Sequence, residues 1–269
     1  MRTIAFIPVT AYWLSVVLIC LALNARCYAA IFGDNDPKNG IEDERQPPTP
    51  ELSLATGTIF CDGIVRGTAA HVNHRKVRQF SVIHSAAHVL FDPNSGQPFR
   101  DCYYHPQHQR LSAIPFAEIS AHQFNPKSDD KIAQSETDFV FIALKWPVNQ
   151  PTLELKIQPL KQAQKLSLLG YNPRQDKLSL SKNCRSFNSA QFQSDTLLYH
   201  NCDAEGGASG GPIFVEGSTD IIAIHGGTLF VHHNLSAGAQ ANPERWINQA
   251  RKVDRGVISR LEEFVASLK

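Results

Sequence analysis

The chain has almost no net charge. Its 26 lysines and arginines face 25 aspartates and glutamates over 269 residues, which removes bulk attraction to nucleic acid or to an acidic surface as a mode of action. It has no internal repeat and no low-complexity tract. With 42% hydrophobic and 19% charged residues, its composition excludes disorder, collagen and coiled coil. It also lacks a Cys-x-x-Cys pair, so a zinc site built on close cysteines is without its ligands, and no metal or other cofactor is expected. What remains is one large domain or two halves sharing an interface.

Acid is wholly missing from the first 29 residues. Arg2 gives a thin positive start, Leu14 to Leu23 an apolar stretch, and Cys27-Tyr-Ala29 the small residues that a signal-cleavage site needs. Cleavage after Ala29 is the expected outcome. An uncleaved anchor is the alternative, because apolar residues run back to Ile4 and about 20 residues span a bilayer, although Pro8, Thr10 and Ser15 dilute that longer run. Removing the segment with Arg2 and Arg26 leaves 24 basic residues against 25 acidic, net −1. The mature chain is then secreted or periplasmic, with no membrane contact once the signal is gone.

Export alters the meaning of the cysteines. Cys20 and Cys27 leave with the signal, while Cys61, Cys102, Cys184 and Cys202 remain. An even number in an oxidising compartment suggests two disulfides with three possible connectivities. The sequential pairing keeps each bridge within one half of the chain.

Residues 30–50 are polar, rich in Pro, Gly and acids, and read as an N-terminal arm or pro-segment. From about residue 51 to 240 the apolar runs are short, β-branched and separated by turn residues: Gly57–Cys61, Gln79–Ile83, Asp138–Leu144, Leu166–Gly170, Gly211–Val215 and Ile221–His225. That rhythm indicates an all-β sandwich or barrel. A proline-rich linker at 146–160 divides residues 51–145 from 161–241. Asn242-Pro-Glu244 carries the signals of a helix start, and Val257, Leu261, Phe264, Val265 and Leu268 share one helical face, so 242–269 is expected to be a helical segment.

Chemistry concentrates in three places. In Cys202-Asp-Ala-Glu-Gly-Gly-Ala-Ser209-Gly-Gly-Pro-Ile-Phe214, a serine sits among four glycines, where bare backbone N–H groups can hold a developing oxyanion. Upstream, Val82-Ile-His-Ser-Ala-Ala-His88 sets a histidine behind small residues. Ser135-Glu-Thr-Asp138-Phe-Val-Phe sets a carboxylate at the mouth of a buried strand, where it needs a donor partner. The order His, Asp, Ser argues against an α/β-hydrolase elbow, which needs its acid and histidine after the serine. His105 and His108 read as loop surface. His232 and His233 would point to opposite faces of a strand, and Asn234-Leu-Ser236 fits a glycosylation acceptor.

With these residues the sequence resembles the chymotrypsin/trypsin family of serine endopeptidases, through Ser85-Ala-Ala-His88, Asp138-Phe-Val-Phe-Ile-Ala-Leu144 and Gly207-Ala-Ser-Gly-Gly-Pro212. Leu168-Leu-Gly-Tyr171, Cys202-Asp203 and Ile224-His-Gly-Gly227 bring it nearest the bacterial glutamyl-endopeptidase-like branch. The resemblance implies an all-β fold of two packed antiparallel β-barrels with a C-terminal α-helix and a catalytic cleft between the barrels. It implies Ser209 as nucleophile, His88 as general base, Asp138 as the group orienting His88, and the Gly207 and Ser209 N–H groups as oxyanion hole. Substrate-binding candidates are Asp203, placed where trypsin-like members bind Lys or Arg, and His225 with Thr228, placed where glutamate-specific members bind a carboxylate. The partners implied are protein or peptide substrates acting on a monomer. One departure is Ala208, where the animal enzymes carry an aspartate that pairs with a newly cut N-terminus. A catalytically silent binding module and an esterase using the same residues are the competing readings.

Overall fold

The computed structural model describes residues 30–32, 45–74, 80–108, 111–230 and 244–268. The signal segment, His232, His233, Asn234, Asn242 and Pro243 lie outside them. Twelve strands close into two antiparallel barrels. The first contains β1 (Thr56–Cys61), β2 (Ile64–His71), β3 (Val82–Ser85), β4 (Cys102–Pro106), β5 (Ile114–Ile119) and β6 (Val140–Leu144), paired in the cyclic order β1-β2-β3-β6-β5-β4. The second contains β7 (Lys165–Asn172), β8 (Lys177–Phe187), β9 (Leu197–His200), β10 (Pro212–Val215), β11 (Ile221–Phe230) and β12 (Trp246–Lys252), in the order β10-β11-β12-β9-β8-β7. Closure leaves neither sheet an open edge.

The runs read from the sequence are apolar without clean alternation because both faces of these strands are covered. Successive side chains point to opposite faces, and β3 shows the result: Ile83 joins Ile59, Tyr104 and Ile142 inside the first barrel. Val82 looks outward, into a seam shared by Ala70 and Phe141 with Leu169, Phe214 and Ile221 of the second barrel.

Each barrel holds one disulfide, Cys61–Cys102 and Cys184–Cys202, at sequence separations of 41 and 18. Cys61 and Cys102 are direct register partners on β1 and β4. Loop closure alone assigns the two bridges about 4 and about 3 kcal/mol. The proline-rich connection follows the seam: Leu153 bridges to Val72 of the first barrel and Leu155 to Ile221 of the second.

The C-terminus corrects one expectation. Among the described residues no helix begins between Glu244 and Asp254; Trp246–Lys252 is strand β12, and the second barrel extends to Lys252. Local start signals lose here to pairing on both sides, with β11 and with β9, which buries every residue from Trp246 to Arg251. Besides two short helices, α1 (Pro50–Leu54) and α2 (Lys131–Glu136), the helix proper is α3 (Arg255–Ser267), capped by Asp254, which accepts from Val257 N–H. Its buried Val257, Leu261, Phe264 and Val265 lie in the same cluster as the seam. At about 1.5–3 kcal/mol per buried side chain, this stripe is a substantial seal. Among the described residues no helix is long and apolar enough to cross a membrane.

Candidate active site

Strand β3 ends in Ser85 and runs through Ala86 into a single 3-10 turn, Ala87–Leu90. Ala86 and Ala87 are fully buried, so the chain sinks up to His88 and presents its ring at the surface of the first barrel. Asp138 stands between α2 and β6. Its Oδ1 accepts the His88 backbone N–H at 2.8 Å and its Oδ2 accepts Nδ1–H at 2.6 Å. Two donors compensate a carboxylate whose side chain is 5% exposed against 23% for His88. Because Nδ1 carries the proton, the lone pair of His88 lies on Nε2. Burial pulls the pKa of His88 down, and the charge and hydrogen bond of Asp138 more than offset it, so the net direction is up from 6.5.

The serine loop comes from the second barrel and is fastened to the first. A turn runs from Glu205 to Ala208, closed by Ala208 N–H on Glu205 O at 3.0 Å. Gly207 occupies its third position with φ +95°, the conformation a type II turn demands there and a side chain resists. Gly210 has φ +84°; a Cβ on it would meet Ser85 Oγ at 2.1 Å and Thr68 O at 2.3 Å. Thr68 on β2 donates its N–H to Ser209 O at 2.7 Å and its hydroxyl to Gly207 O at 2.8 Å. The N–H groups of Ala208 and Gly210 are used within the protein, whereas those of Gly207 and Ser209 make no hydrogen bond among the described residues.

Ser209 Oγ donates to Gly226 O at 3.5 Å and is not hydrogen-bonded to His88. The two walls are nonetheless in contact, since a Cβ on Gly67 would meet both Val89, next to His88, and the Ser209 carbonyl.

The proposed substrate-binding residues divide. His225 and Thr228 lie together on β11. Thr228 donates to Asn248 Oδ1 at 2.5 Å, and Asn248 donates to Cys202 O at 2.8 Å. The Nδ1 of His225 lies 3.2 Å from Nε2 of His200, whose own Nδ1 accepts the Cys202 N–H. That acceptance puts the His200 proton on Nε2 and makes it the donor, so His225 carries its proton on Nε2. This Nε2 is buried with no hydrogen-bond partner among the described residues. Burial and the charge of His88 lower the pKa of His225 to about 3. The carboxylate of Asp203 accepts Phe32 N–H at 2.9 Å. Residues 30–32 are buried here, with Ala30 O accepting from Ala204 N–H and Phe32 packed on Trp246 at 5.1 Å.

His200 and Asn248 escape notice in the sequence. Each sits inside an ordinary strand-like run, and only the pairing of β12 with β9 and β11 brings them under the cleft. The reading of His108 as loop surface is corrected as well: it is buried and bonded on both ring nitrogens. A loop after a strand suggested solvent, but the facing barrel covers it. Among the described residues no group of three or more His, Cys, Asp or Glu could hold a metal ion.

No protein-family model and no curated protein matches this chain. Solved structures do. It is similar to a Glu endopeptidase solved in complex with MPD, at TM-score 0.62 and 13% identity over 88% of this chain and all of that one. It is similar to a thermostable serine protease AL20 from an extremophilic microorganism (TM-score 0.60, 16% identity, 81% of this chain and all of that one). It is also similar to kallikrein-related peptidase 10 (TM-score 0.56, 13% identity, 82% of this chain and all of that one).

Proposed function

We propose that this chain, whose fold is that of the chymotrypsin-like serine proteases, is a serine endopeptidase. The observation that carries the reading is the His88–Asp138 pair, doubly bonded and with Nε2 as its basic atom. It stands on the wall opposite Ser209, whose own N–H and that of Gly207 make no hydrogen bond among the described residues. In the reaction, Ser209 Oγ attacks the scissile carbonyl carbon while Nε2 of His88 takes the hydroxyl proton. The negative carbonyl oxygen is held by the N–H groups of Gly207 and Ser209. Collapse of this adduct breaks the C–N bond, and His88 gives its proton to the departing amine. Water then repeats the sequence on the acyl-enzyme. Asp138 holds the tautomer of His88 and stabilises its imidazolium throughout.

Selectivity is proposed for an acidic residue before the cut bond. His225 offers a buried N–H with no partner among the described residues, suited to a carboxylate, whereas Asp203 is engaged by the backbone of Phe32. The two disulfides fit work in an oxidising compartment.

Ser209→Ala is expected to abolish peptide cleavage and labelling by a phosphonate probe; losses of about a million-fold accompany removal of such a serine. Unchanged hydrolysis in this variant would sink the assignment. Active-site titration separates an enzyme from a silent binding module, and amide against ester substrates separate a peptidase from an esterase. Profiling with Glu, Asp, Lys, Arg, Phe and Ala before the cut bond reads the selectivity directly.

A further inference from the structure

The turn bearing the Gly207 N–H is gripped from outside the triad. A Cβ on Gly207 would meet Tyr171 Cδ1 at 2.6 Å, so the Tyr171 ring packs closely against the α-carbon of the residue that would donate to the oxyanion. The Tyr171 backbone is tied to the same place, since its N–H donates to Thr68 Oγ1 at 2.9 Å and that hydroxyl donates to Gly207 O. At its far end the ring is fixed by Tyr171 O–H on Asp176 Oδ1 at 2.8 Å.

Asp176 is a meeting point. His108, two residues beyond β4 of the first barrel, donates Nε2–H to the same Oδ1 at 3.1 Å. Its Nδ1 then accepts the hydroxyl of fully buried Thr58 at 3.0 Å, and its ring lies 4.8 Å from that of Tyr171. An unbroken path therefore runs from β1 through His108, Asp176 and Tyr171 to Gly207.

Asp176 and His108 have φ of +47° and +51°, left-handed backbone that glycine would occupy at lower cost. For Asp176 the cause is the β7–β8 hairpin, whose short turn ends in a left-handed residue that is ordinarily glycine. At both positions the chain keeps a side chain in spite of the backbone cost, and these two side chains meet across the barrels. The same hairpin grips the start of the oxyanion turn, where Arg174 Nε lies 2.8 Å from Glu205 Oε1, and Arg45 binds the other carboxylate oxygen at 2.5 Å.

The geometry points to His108, Asp176 and Tyr171 as a clasp between the barrels that sets the position of the Gly207 N–H, making them positioning residues for the oxyanion. This rests on the serine-endopeptidase reading. It adds to it a dependence of oxyanion stabilisation on a hairpin that lies outside the triad. Burial, with the hydrogen bond and charge of Asp176, raises the pKa of Tyr171 to about 12, so the phenol remains a donor over the whole working range.

The test compares Tyr171→Phe, Asp176→Ala and Asp176→Asn in the full chain, by steady-state kinetics, phosphonate labelling of Ser209 and hydrogen exchange over residues 204–211. Removing an oxyanion donor outright costs about 100- to 1,000-fold in turnover, and loosening one should cost about tenfold. Tyr171→Phe and Asp176→Ala are each expected to lower kcat by about that factor with KM within about twofold. Asp176→Asn keeps an acceptor oxygen for the phenol and should recover most of the loss. The variant Tyr171→Phe/Asp176→Ala should be no slower than the worse single change, as members of one unit behave. Exchange over 204–211 should quicken in the two damaging variants and return to wild-type rates in Asp176→Asn. An active wild type with kcat unchanged in Tyr171→Phe and Asp176→Ala overturns the clasp, as does a loss that appears only in KM. If wild type itself neither cleaves peptides nor takes the probe, the endopeptidase reading fails instead. The exchange rates then decide the clasp alone: faster exchange supports it and unchanged exchange refutes it.

Discussion

Gly210→Ala gives the sharpest test of how the serine loop is seated. The glycine has φ +84°, and placing an L residue in the left-handed region costs about 1–2 kcal/mol. Space is the larger difficulty. The new Cβ would stand 2.1 Å from Ser85 Oγ, 2.3 Å from Thr68 O and 2.7 Å from Ala86 N. Ser85 Oγ is itself committed, donating to Thr68 O at 2.8 Å, and the other two atoms are backbone of the first barrel. Nothing flexible is available to yield, so the loop must move away from β2 by several tenths of an ångström. Overpacking of this kind costs about 1–3 kcal/mol, giving a combined penalty of about 2–5 kcal/mol when the backbone cost is added. The displacement also draws Ser209 O away from Thr68 N–H. The assay is urea unfolding at neutral pH beside phosphonate labelling of the folded fraction. The expected outcome is loss of stability in that range with labelling slowed by at least about tenfold, since a small misplacement of reacting groups can cost 100-fold. A Gly210→Ala protein with wild-type stability and labelling would refute the close approach of this loop to β2.

Two further predictions concern protons. Asp138→Asn should lower kcat by about 10⁴ through the wrong tautomer of His88. Because Asp138 favours the protonated ring, its loss should also move the acid limb of the kcat/KM profile to lower pH; a limb moving upward would contradict the assigned cause. Burial holds His71 near 4 and holds His84, with the charge of His71 adding to burial, near 3. The unfolded chain binds protons on these rings below about 6.5 while the folded chain does not, so their neutral form is compatible with the fold above that pH. Stability should then fall from about pH 6.5 toward about 4 and 3 by about 1.4 kcal/mol per pH unit for each ring. Urea midpoints at pH 7 and pH 5 measure this. His84→Phe, which removes two buried ring nitrogens without partners among the described residues, should flatten the slope, and an unchanged slope would exclude His84 as a source.

The parts of the molecule legible in the sequence are those where chemistry and local pattern coincide. Ser209 stands out because glycines surround it, and Asp138 because a carboxylate at the mouth of an apolar strand demands a donor. The helical face of Val257, Leu261, Phe264 and Val265 is a property of spacing alone, and all four are buried. What could not be read depends on residues far apart in the chain. β12 carries a helix-start signal at its entrance and becomes a strand because two others flank it. His200 and His108 take their meaning from partners that arrive 25 and 68 residues later, and nothing in their immediate neighbourhood announces them.

The helix across the seam has a consequence for the order of events at birth. A ribosome makes the first barrel, the linker and the second barrel before it reaches Val257, Leu261, Phe264 and Val265, which join residues of both barrels in one apolar cluster. Until those side chains emerge, the seam beneath the cleft lies open along one side. A nascent chain thus carries all three residues of the proposed triad well before it carries what locks the two walls in register. In the endopeptidase proposed above, cleavage would thereby wait until this helix is made, a form of self-restraint that needs no inhibitor.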